Sequence, residues 1–111
     1  MILCLRHGEA SALFLADATA DALSFPIPDA DVLKIGHHGA EGTVDPRLLK
    51  SASPSACVIS VGYNNYGHPN ADTLAMIEAA GAAVFRTDQC GAITCALSDD
   101  GTIRMKTFRS T

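Results

Sequence analysis

The sequence predicts an α/β fold in which strands outnumber helices and two or three helices are present. Short apolar runs recur along the chain and are separated by glycine, proline and aspartate. Two of the intervening segments start with a residue that favours a helix N-terminus, Asp45 in one and Asn70 in the other. Residues 55–62 read SACVISVG, a continuous apolar run typical of a strand buried in a sheet that helices cover.

The first third of the chain predicts a hairpin followed by a third strand. The apolar runs 2–6 and 10–16 are separated by three residues that include Gly8, a spacing that suits a hairpin closed by a glycine turn. After Asp17 the sequence ATADALSF forms a short helix or only a turn, because two prolines follow it. Residues 30–36 read ADVLKIG and predict a strand that leads directly into two histidines.

The remaining elements follow from capping and turn signals. Asp45 with Pro46 at the first helical position predicts a short helix. Asn70 predicts the start of a second helix, which Gly81 ends. In that helix Leu74, Met76 and Ile77 are expected to face the core. Three strands are then predicted at 82–88, 92–97 and 102–108, with turns at 89–91 and 98–101.

Length and composition limit the classes of protein. The 111 residues, 48% apolar and 18% charged, suffice for one domain over residues 1–111. The net charge of −4 argues against a basic face that binds nucleic acid by itself. No apolar run reaches the length of a membrane helix, and residues 1–11 show no secretion-signal pattern. The four cysteines form no CxxC pair, and we interpret them as structural thiols, most of them buried in strands.

Four polar positions follow predicted strands, where α/β proteins present functional groups. They are Asp17, the adjacent pair His37 and His38, and His68. Each has a structural interpretation beside the functional one: Asp17 suits a helix cap equally well, and His68 suits an ordered turn before Asn70. The segment 86–88, Arg-Thr-Asp, is interpreted as a charged exit from a strand.

Carboxylate and imidazole groups together suit zinc or manganese. A carboxylate shared by two ions can hold them about 3.5–4 Å apart, as in phosphoester hydrolysis. Each ion takes four or more partners, so two ions need about six or seven protein ligands. One aspartate and one or two histidines are therefore too few for a complete two-metal site.

The chain resembles a known family in three segments, taken in order and spacing. Residues 13–17 read LFLAD, residues 31–40 read DVLKIGHHGA, and residues 56–93 contain SVGYNNYGHP and RTDQCGAI. Together they resemble the metallo-β-lactamase-like domain at the C-terminus of ComEC-type bacterial DNA-uptake channel proteins. The family pattern has strands ending in TGD and HHGS, an SVG-N-YGHP loop, and an RTD-x-x-GAI strand pair. The similarity covers about residues 2–97.

The resemblance implies a fold and a set of roles. The fold is the C-terminal half of a metallo-β-lactamase αββα sandwich, with a mixed sheet. The intact domain binds two divalent metals, zinc or manganese, with Asp17 as the bridging ligand and His38 as a ligand of one metal. His37 takes a substrate or proton-transfer role, and His68 lies in the loop beside the active-site cleft.

The resemblance also implies an activity and partners. The activity is metal-dependent hydrolysis of DNA or another phosphodiester, linked to DNA uptake. The partners are the N-terminal half of the domain and a membrane channel domain. The location is a soluble, extracytoplasmic domain of a bacterial inner-membrane protein.

The departures from the family pattern define the expectations for this chain. Where the family has TGD, this chain has LAD, and where the family has HHGS, this chain has HHGA, with Ala40 in the last position. The HxHxDH motif of the first half of the family domain is absent from this sequence. We therefore expect half of a catalytic domain, poorly active alone, without a full set of bound metals. Its uncovered sheet face predicts a homodimer. The alternative function is a degenerate, non-catalytic scaffold for assembly or DNA guidance, which the first two departures favour.

Overall fold

The structure, a computed structural model, describes residues 3–15, 27–36, 39–40, 42–61 and 69–108. Within these ranges the chain forms seven strands and three helices. In chain order they are β1 (Leu3–His7), β2 (Ala10–Phe14), β3 (Val32–Lys34), α1 (Pro46–Ala52), β4 (Ala56–Ile59), α2 (Ala71–Ala79), β5 (Ala83–Arg86), α3 (Thr87–Cys90), β6 (Ile93–Leu97) and β7 (Ile103–Thr107). None of the helices in the described ranges is long and apolar enough to cross a membrane.

A mixed five-stranded sheet forms the centre of the fold, in the order β1-β2-β3-β4-β5. β1 and β2 form an antiparallel hairpin, with Leu5 opposite Ala12. From β2 onward all neighbours are parallel. β6 and β7 form a separate antiparallel pair. The predicted α/β class, the mixed sheet and both hairpins are confirmed.

Helix α1 begins where its capping residues predict. The Asp45 carboxylate accepts a hydrogen bond from the Leu48 N–H at 2.9 Å, and Pro46 occupies the first helical position. Proline loses nothing there, because that N–H has no partner within a helix. The chain then leaves α1 at Ser53, which adopts the left-handed conformation with φ 46°.

Helix α2 is capped in the same way. The Asn70 side chain accepts hydrogen bonds from the N–H groups of Asp72 at 2.9 Å and Thr73 at 3.3 Å. These bonds satisfy two of the donors that a helix N-terminus leaves without a partner. Gly81 follows the helix with φ 85°, a conformation that glycine adopts without steric cost. The predicted start and end of the helix are confirmed.

The core lies between the helices and one face of the sheet. Sheet positions that share this face are buried, and they are Leu13, Leu33, Cys57 and Ile59. The helices contribute the buried Leu48, Leu49 and Ile77, with Leu74 and Met76 packed against them. Each fully buried side chain of this size contributes about 1.5–3 kcal/mol relative to exposure. The predicted core face of α2 is confirmed.

The opposite sheet face is only partly covered. The β6–β7 hairpin turns every second side chain inward, as the alternation of half-buried and exposed residues along both strands shows. Its turn contacts the β1–β2 turn, where the Glu9 N–H donates to the Asp99 carbonyl at 3.0 Å. Leu3, Leu5 and Phe14 on this face are 57%, 52% and 38% exposed. The expected uncovered face is therefore present in the described part of the chain.

The strand predicted over 82–88 is shorter than expected. The β4–β5 ladder ends at the pair Ile59 and Arg86, and Thr87 begins the four-residue helix α3. The Thr87 hydroxyl instead binds the backbone of Val61, just beyond β4. The chain therefore leaves the sheet at Thr87, and the predicted turn at 89–91 overlaps the end of α3.

The four cysteines differ in environment. Cys57 and Cys90 are buried, Cys95 is half-buried, and all four are free thiols. Burial raises the pKa of the Cys57 thiol to about 12, so it stays protonated and packs as an apolar group. The expectation of a buried thiol is wrong for Cys4, which is exposed because β1 is an edge strand.

The Asp45 cap generates a stability prediction. Asp45→Ala should lower the free energy of unfolding by about 1 kcal/mol, measured by urea denaturation. Burial by itself would raise the pKa of Asp45. Hydrogen bonds from Leu48 and Arg47, together with the positive charge of Arg47, outweigh that effect, so the pKa of Asp45 lies below its usual range.

A depressed pKa gives the carboxylate a stabilising contribution above the unfolded-state pKa, and that contribution is lost as the pH falls through the folded-state pKa. Asp45→Asn, which keeps a capping oxygen, should retain most of the stability and lose this acid dependence. Equal losses for the alanine and asparagine variants would contradict a capping role.

Candidate functional site

The four residues predicted to carry chemistry lie outside the described residues. They are Asp17, His37, His38 and His68. The structure does describe the strands that lead to them and the residues that adjoin them. The roles of these four residues stay predictions, and the geometry below concerns their described neighbours.

The strands that precede these positions end at the same edge of the sheet. β2, β3 and β4 are adjacent and parallel, so their carboxyl ends point in one direction. The pairing continues beyond the strands, because the Leu15 N–H donates to the Lys34 carbonyl at 3.2 Å and the Ile35 N–H donates to the Val58 carbonyl at 2.9 Å. Leu15 and Ile35 are both fully buried, which fixes this edge against the core.

Two described segments that adjoin predicted site residues are joined directly. Gly39 follows the histidine pair, and its carbonyl accepts from the Asn70 N–H at 2.9 Å. The Ala40 carbonyl accepts from the Thr73 hydroxyl at 3.3 Å. These two hydrogen bonds hold the segment after β3 against the start of α2. The first of these segments follows the histidine pair in sequence, and the second follows His68.

Gly39 allows this close approach. Its φ is +74°, and a Cβ built on it would lie 2.8 Å from the Pro69 Cβ and 3.3 Å from Ile59. A side chain at position 39 would therefore strain the backbone and clash with Pro69 and Ile59.

The end of β5 is tied to the end of β4 at the same edge. The Thr87 hydroxyl accepts from the Val61 N–H at 2.7 Å and donates to the Val61 carbonyl at 2.8 Å. Beside it, the Arg86 guanidinium donates to Asp88 at 2.7 Å and 3.0 Å. Hydrogen bonding by Arg86 is the main reason that the pKa of Asp88 is below its usual range. These residues brace the edge, in agreement with their structural interpretation from the sequence.

The donor set of the chain fits part of a metal site. Within the described ranges no three His, Cys, Asp or Glu side chains form a group that could hold an ion. The chemistry of Asp17 and His38 suits zinc or manganese, but the two provide fewer ligands than even one four-coordinate ion requires. The fit is therefore partial, and further ligands are needed to complete a site.

Sequence comparisons give two relatives and no structural match. No protein-family model matches the chain, and no solved structure shows significant similarity. ComE operon protein 3 of Bacillus subtilis is 41% identical over 70 residues, which is 62% of this chain and 9% of the relative. Competence protein ComA of Neisseria gonorrhoeae is 36% identical over 73 residues, 65% of this chain and 11% of the relative.

These matches relate the chain to competence proteins. The chain spans about a tenth of the length of the competence relatives that it matches. The matches thus support the part of the resemblance that concerns competence, and the metallo-β-lactamase-like part stays a prediction.

Two residues at this edge were not identified as important from the sequence. Thr87 is one, because its partner Val61 is 26 residues away and no local pattern reports the contact. Lys34 is the other: it is half-buried on the sheet face opposite the helices, and burial lowers the pKa of its ammonium. A lysine inside the otherwise apolar run VLKI was the available signal.

The close packing around Gly39 predicts that alanine substitution destabilises the protein more at Gly39 than at Gly42. Gly39 and Gly42 both have positive φ, but a Cβ at Gly42 meets nothing within 4 Å. Both alanine variants should incur about 1–2 kcal/mol of backbone strain, and Gly39→Ala should cost about 1–3 kcal/mol more because of the clash. Denaturation of the two variants in parallel measures the difference. Equal stability would show that Pro69 does not constrain this position.

The hydrogen bonds of the Thr87 hydroxyl predict that Thr87→Val and Thr87→Ser differ in stability. Thr87→Val preserves shape but leaves the Val61 N–H and carbonyl without their partner, which should cost about 1–3 kcal/mol. Thr87→Ser keeps the hydroxyl and should cost less. Hydrogen exchange of the Val61 amide, followed by NMR, should accelerate in the valine variant and change little in the serine variant. A valine variant as stable and as protected as the serine variant would contradict the brace.

Proposed function

We propose that this chain forms part of a metal-dependent phosphodiesterase site in a competence protein, acting on DNA during its uptake. The observation that supports the proposal best is the common edge formed by the carboxyl ends of β2, β3 and β4. Each of these strands precedes one of the segments that contain Asp17, His37 and His38, or His68. The similarity to competence relatives supplies the biological context.

In this proposal the residues of the chain have separate roles. Asp17 would be the ligand shared by two divalent ions, zinc or manganese, and His38 would be a ligand of one of them. His37 and His68 orient the phosphodiester or move a proton. Divalent ions in such sites polarise the phosphoryl group and lower the pKa of bound water.

The chain shares the site with other parts of a longer protein. Two ligands are too few, so the remaining ligands come from an N-terminal half of the domain. A membrane channel domain is the further partner, and the site belongs to an extracytoplasmic domain of an inner-membrane protein. The negative net charge of −4 agrees with this, because ions rather than lysines would attract phosphate.

Manganese binding by the 111-residue chain tests the proposal. We expect weak binding of Mn²⁺, measured by equilibrium dialysis, and no detectable hydrolysis of bis-p-nitrophenyl phosphate. Asp17→Asn and His38→Gln should each weaken Mn²⁺ binding at least about tenfold.

His7→Gln is the matched control. His7 lies opposite Ala10 at the amino end of β2, away from the common edge, where its imidazole contacts Asp99 at 2.7 Å. This variant should bind Mn²⁺ like the wild type. Binding that is indifferent to Asp17 and His38 would contradict the metal site and favour the non-catalytic scaffold. Rapid hydrolysis by the chain alone would contradict the shared site.

A further inference from the structure

Two fully buried threonines donate to one backbone carbonyl beside the candidate site. The Thr43 hydroxyl donates to the Ala40 carbonyl at 2.7 Å, and the Thr73 hydroxyl donates to the same oxygen at 3.3 Å. Within the described part of the chain, Ser11 is the only buried polar residue besides these two. Most of the buried hydroxyl groups that the structure describes therefore converge on one oxygen.

This convergence fixes the position of the Ala40 backbone. A carbonyl oxygen has two lone pairs and can accept from both hydroxyls. The Thr43 N–H also donates to it, at 3.2 Å. A hydroxyl buried without a partner is costly, so a displacement of the Ala40 carbonyl would leave donors from two elements unsatisfied.

The two threonines belong to the amino ends of different helices. Thr43 lies two residues before Asp45, the capping residue of α1. Thr73 lies in the first turn of α2, where its N–H donates to the capping side chain of Asn70. Both helices pack against the core. The Ala40 carbonyl is therefore held by two elements whose own positions are fixed.

The segment held in this way follows the histidine pair. Ala40 is two residues after His38, and the buried Gly39 lies between them. The Gly39 N–H donates to the Gly36 carbonyl at 3.1 Å, and the Gly39 carbonyl accepts from the Asn70 N–H at 2.9 Å. Gly36 and Gly39 flank the pair in sequence, so the backbone on both sides of it is held by hydrogen bonds.

A ligand that leaves a strand on a loop needs such support. Binding side chains function only when their surroundings hold them close to the productive geometry. Residues that hold a ligand in place without touching the ion contribute to metal affinity through it. Thr43 and Thr73 have the burial and the hydrogen bonds that this role requires.

We propose that Thr43 and Thr73 are positioning residues for His37 and His38, which they hold through the backbone carbonyl of Ala40. The inference rests on the proposed function, because it assumes that His38 is a metal ligand. It also gives the departure at position 40 a different meaning. Every residue has the carbonyl that the threonines use, so alanine in place of serine does not weaken this hold.

Hydrogen exchange in metal-free buffer tests whether the hydroxyls hold the segment. Thr43→Val and Thr73→Val preserve shape and remove the donor. In each variant the Gly39 amide, followed by NMR, should exchange at least about tenfold faster than in the wild type, as expected when a buried hydrogen bond is lost. Thr43→Ser and Thr73→Ser keep the hydroxyl and should restore most of the protection.

Mn²⁺ affinity tests whether this hold matters for the site. It is measured by equilibrium dialysis at a temperature at which every variant is folded. The double valine variant should bind about tenfold more weakly than the wild type, and the double serine variant should bind within about twofold of it. Ala40→Ser should also leave the affinity within about twofold of the wild type.

Two controls separate positioning from other effects. Thr94→Val removes the hydroxyl of an exposed threonine on β6 and should change neither Gly39 exchange nor Mn²⁺ affinity. Ile77→Val shortens a fully buried side chain of α2 and lowers stability without removing a hydrogen-bond donor. It should keep the Mn²⁺ affinity of the wild type.

Four results would overturn the proposal. The first is unchanged Gly39 exchange in the valine variants. The second is unchanged Mn²⁺ affinity in the double valine variant while Asp17→Asn and His38→Gln weaken binding, which would leave the proposed function intact. The third is a tenfold gain in affinity in Ala40→Ser. The fourth is binding indifferent to Asp17 and His38, which would contradict the proposed function together with this inference.

Discussion

The parallel alignment of β2, β3 and β4 is the constraint on which the rest of the structure depends. Their register is fixed by a row of buried side chains, Leu13, Leu33 and Cys57, that lie opposite one another and face the helices. A slip of one residue in any of these strands would turn its apolar side chains to the other face. Because the register cannot slip, the three carboxyl ends stay level, and every segment that leaves them starts from one edge.

Strand alignment alone does not position the residues beyond the strands. Hydrogen bonds between segments at this edge do so as well. Hydrogen bonds join Gly39 to Asn70, and Thr87 to Val61, across segments that are distant in sequence. These bonds use backbone groups that the ladders no longer pair, so they satisfy polar groups and place the loops at the same time. The edge is thus braced by uncharged groups, and the charged pair of Arg86 and Asp88 lies beside them.

The features that could be predicted from the sequence are those that depend on residues close to one another in the chain. Asp45, Asn70 and Gly81 act on neighbouring residues, and their helix boundaries could be predicted from adjacent positions. The end of β5 could not, because it depends on where β4 stops and on the contact between Thr87 and Val61. The exposure of Cys4 depends on strand order, which no local pattern encodes.

The candidate site shows the same division. The placement of the site segments after β2, β3 and β4 follows from strand prediction and the general behaviour of parallel sheets. The metal roles of Asp17 and His38 came from family resemblance, since two ligands separated by a long stretch of chain carry little information by themselves. Lys34 was missed because a single lysine in a strand is ordinarily solvent-exposed, whereas this one is half-buried.

A groove on the sheet face away from the helices reaches the edge where β2, β3 and β4 end. Phe14 and Lys34 line the groove and are also the last residues of β2 and β3, and Ser60 directly follows β4. The groove therefore extends to the edge from which the candidate site residues depart.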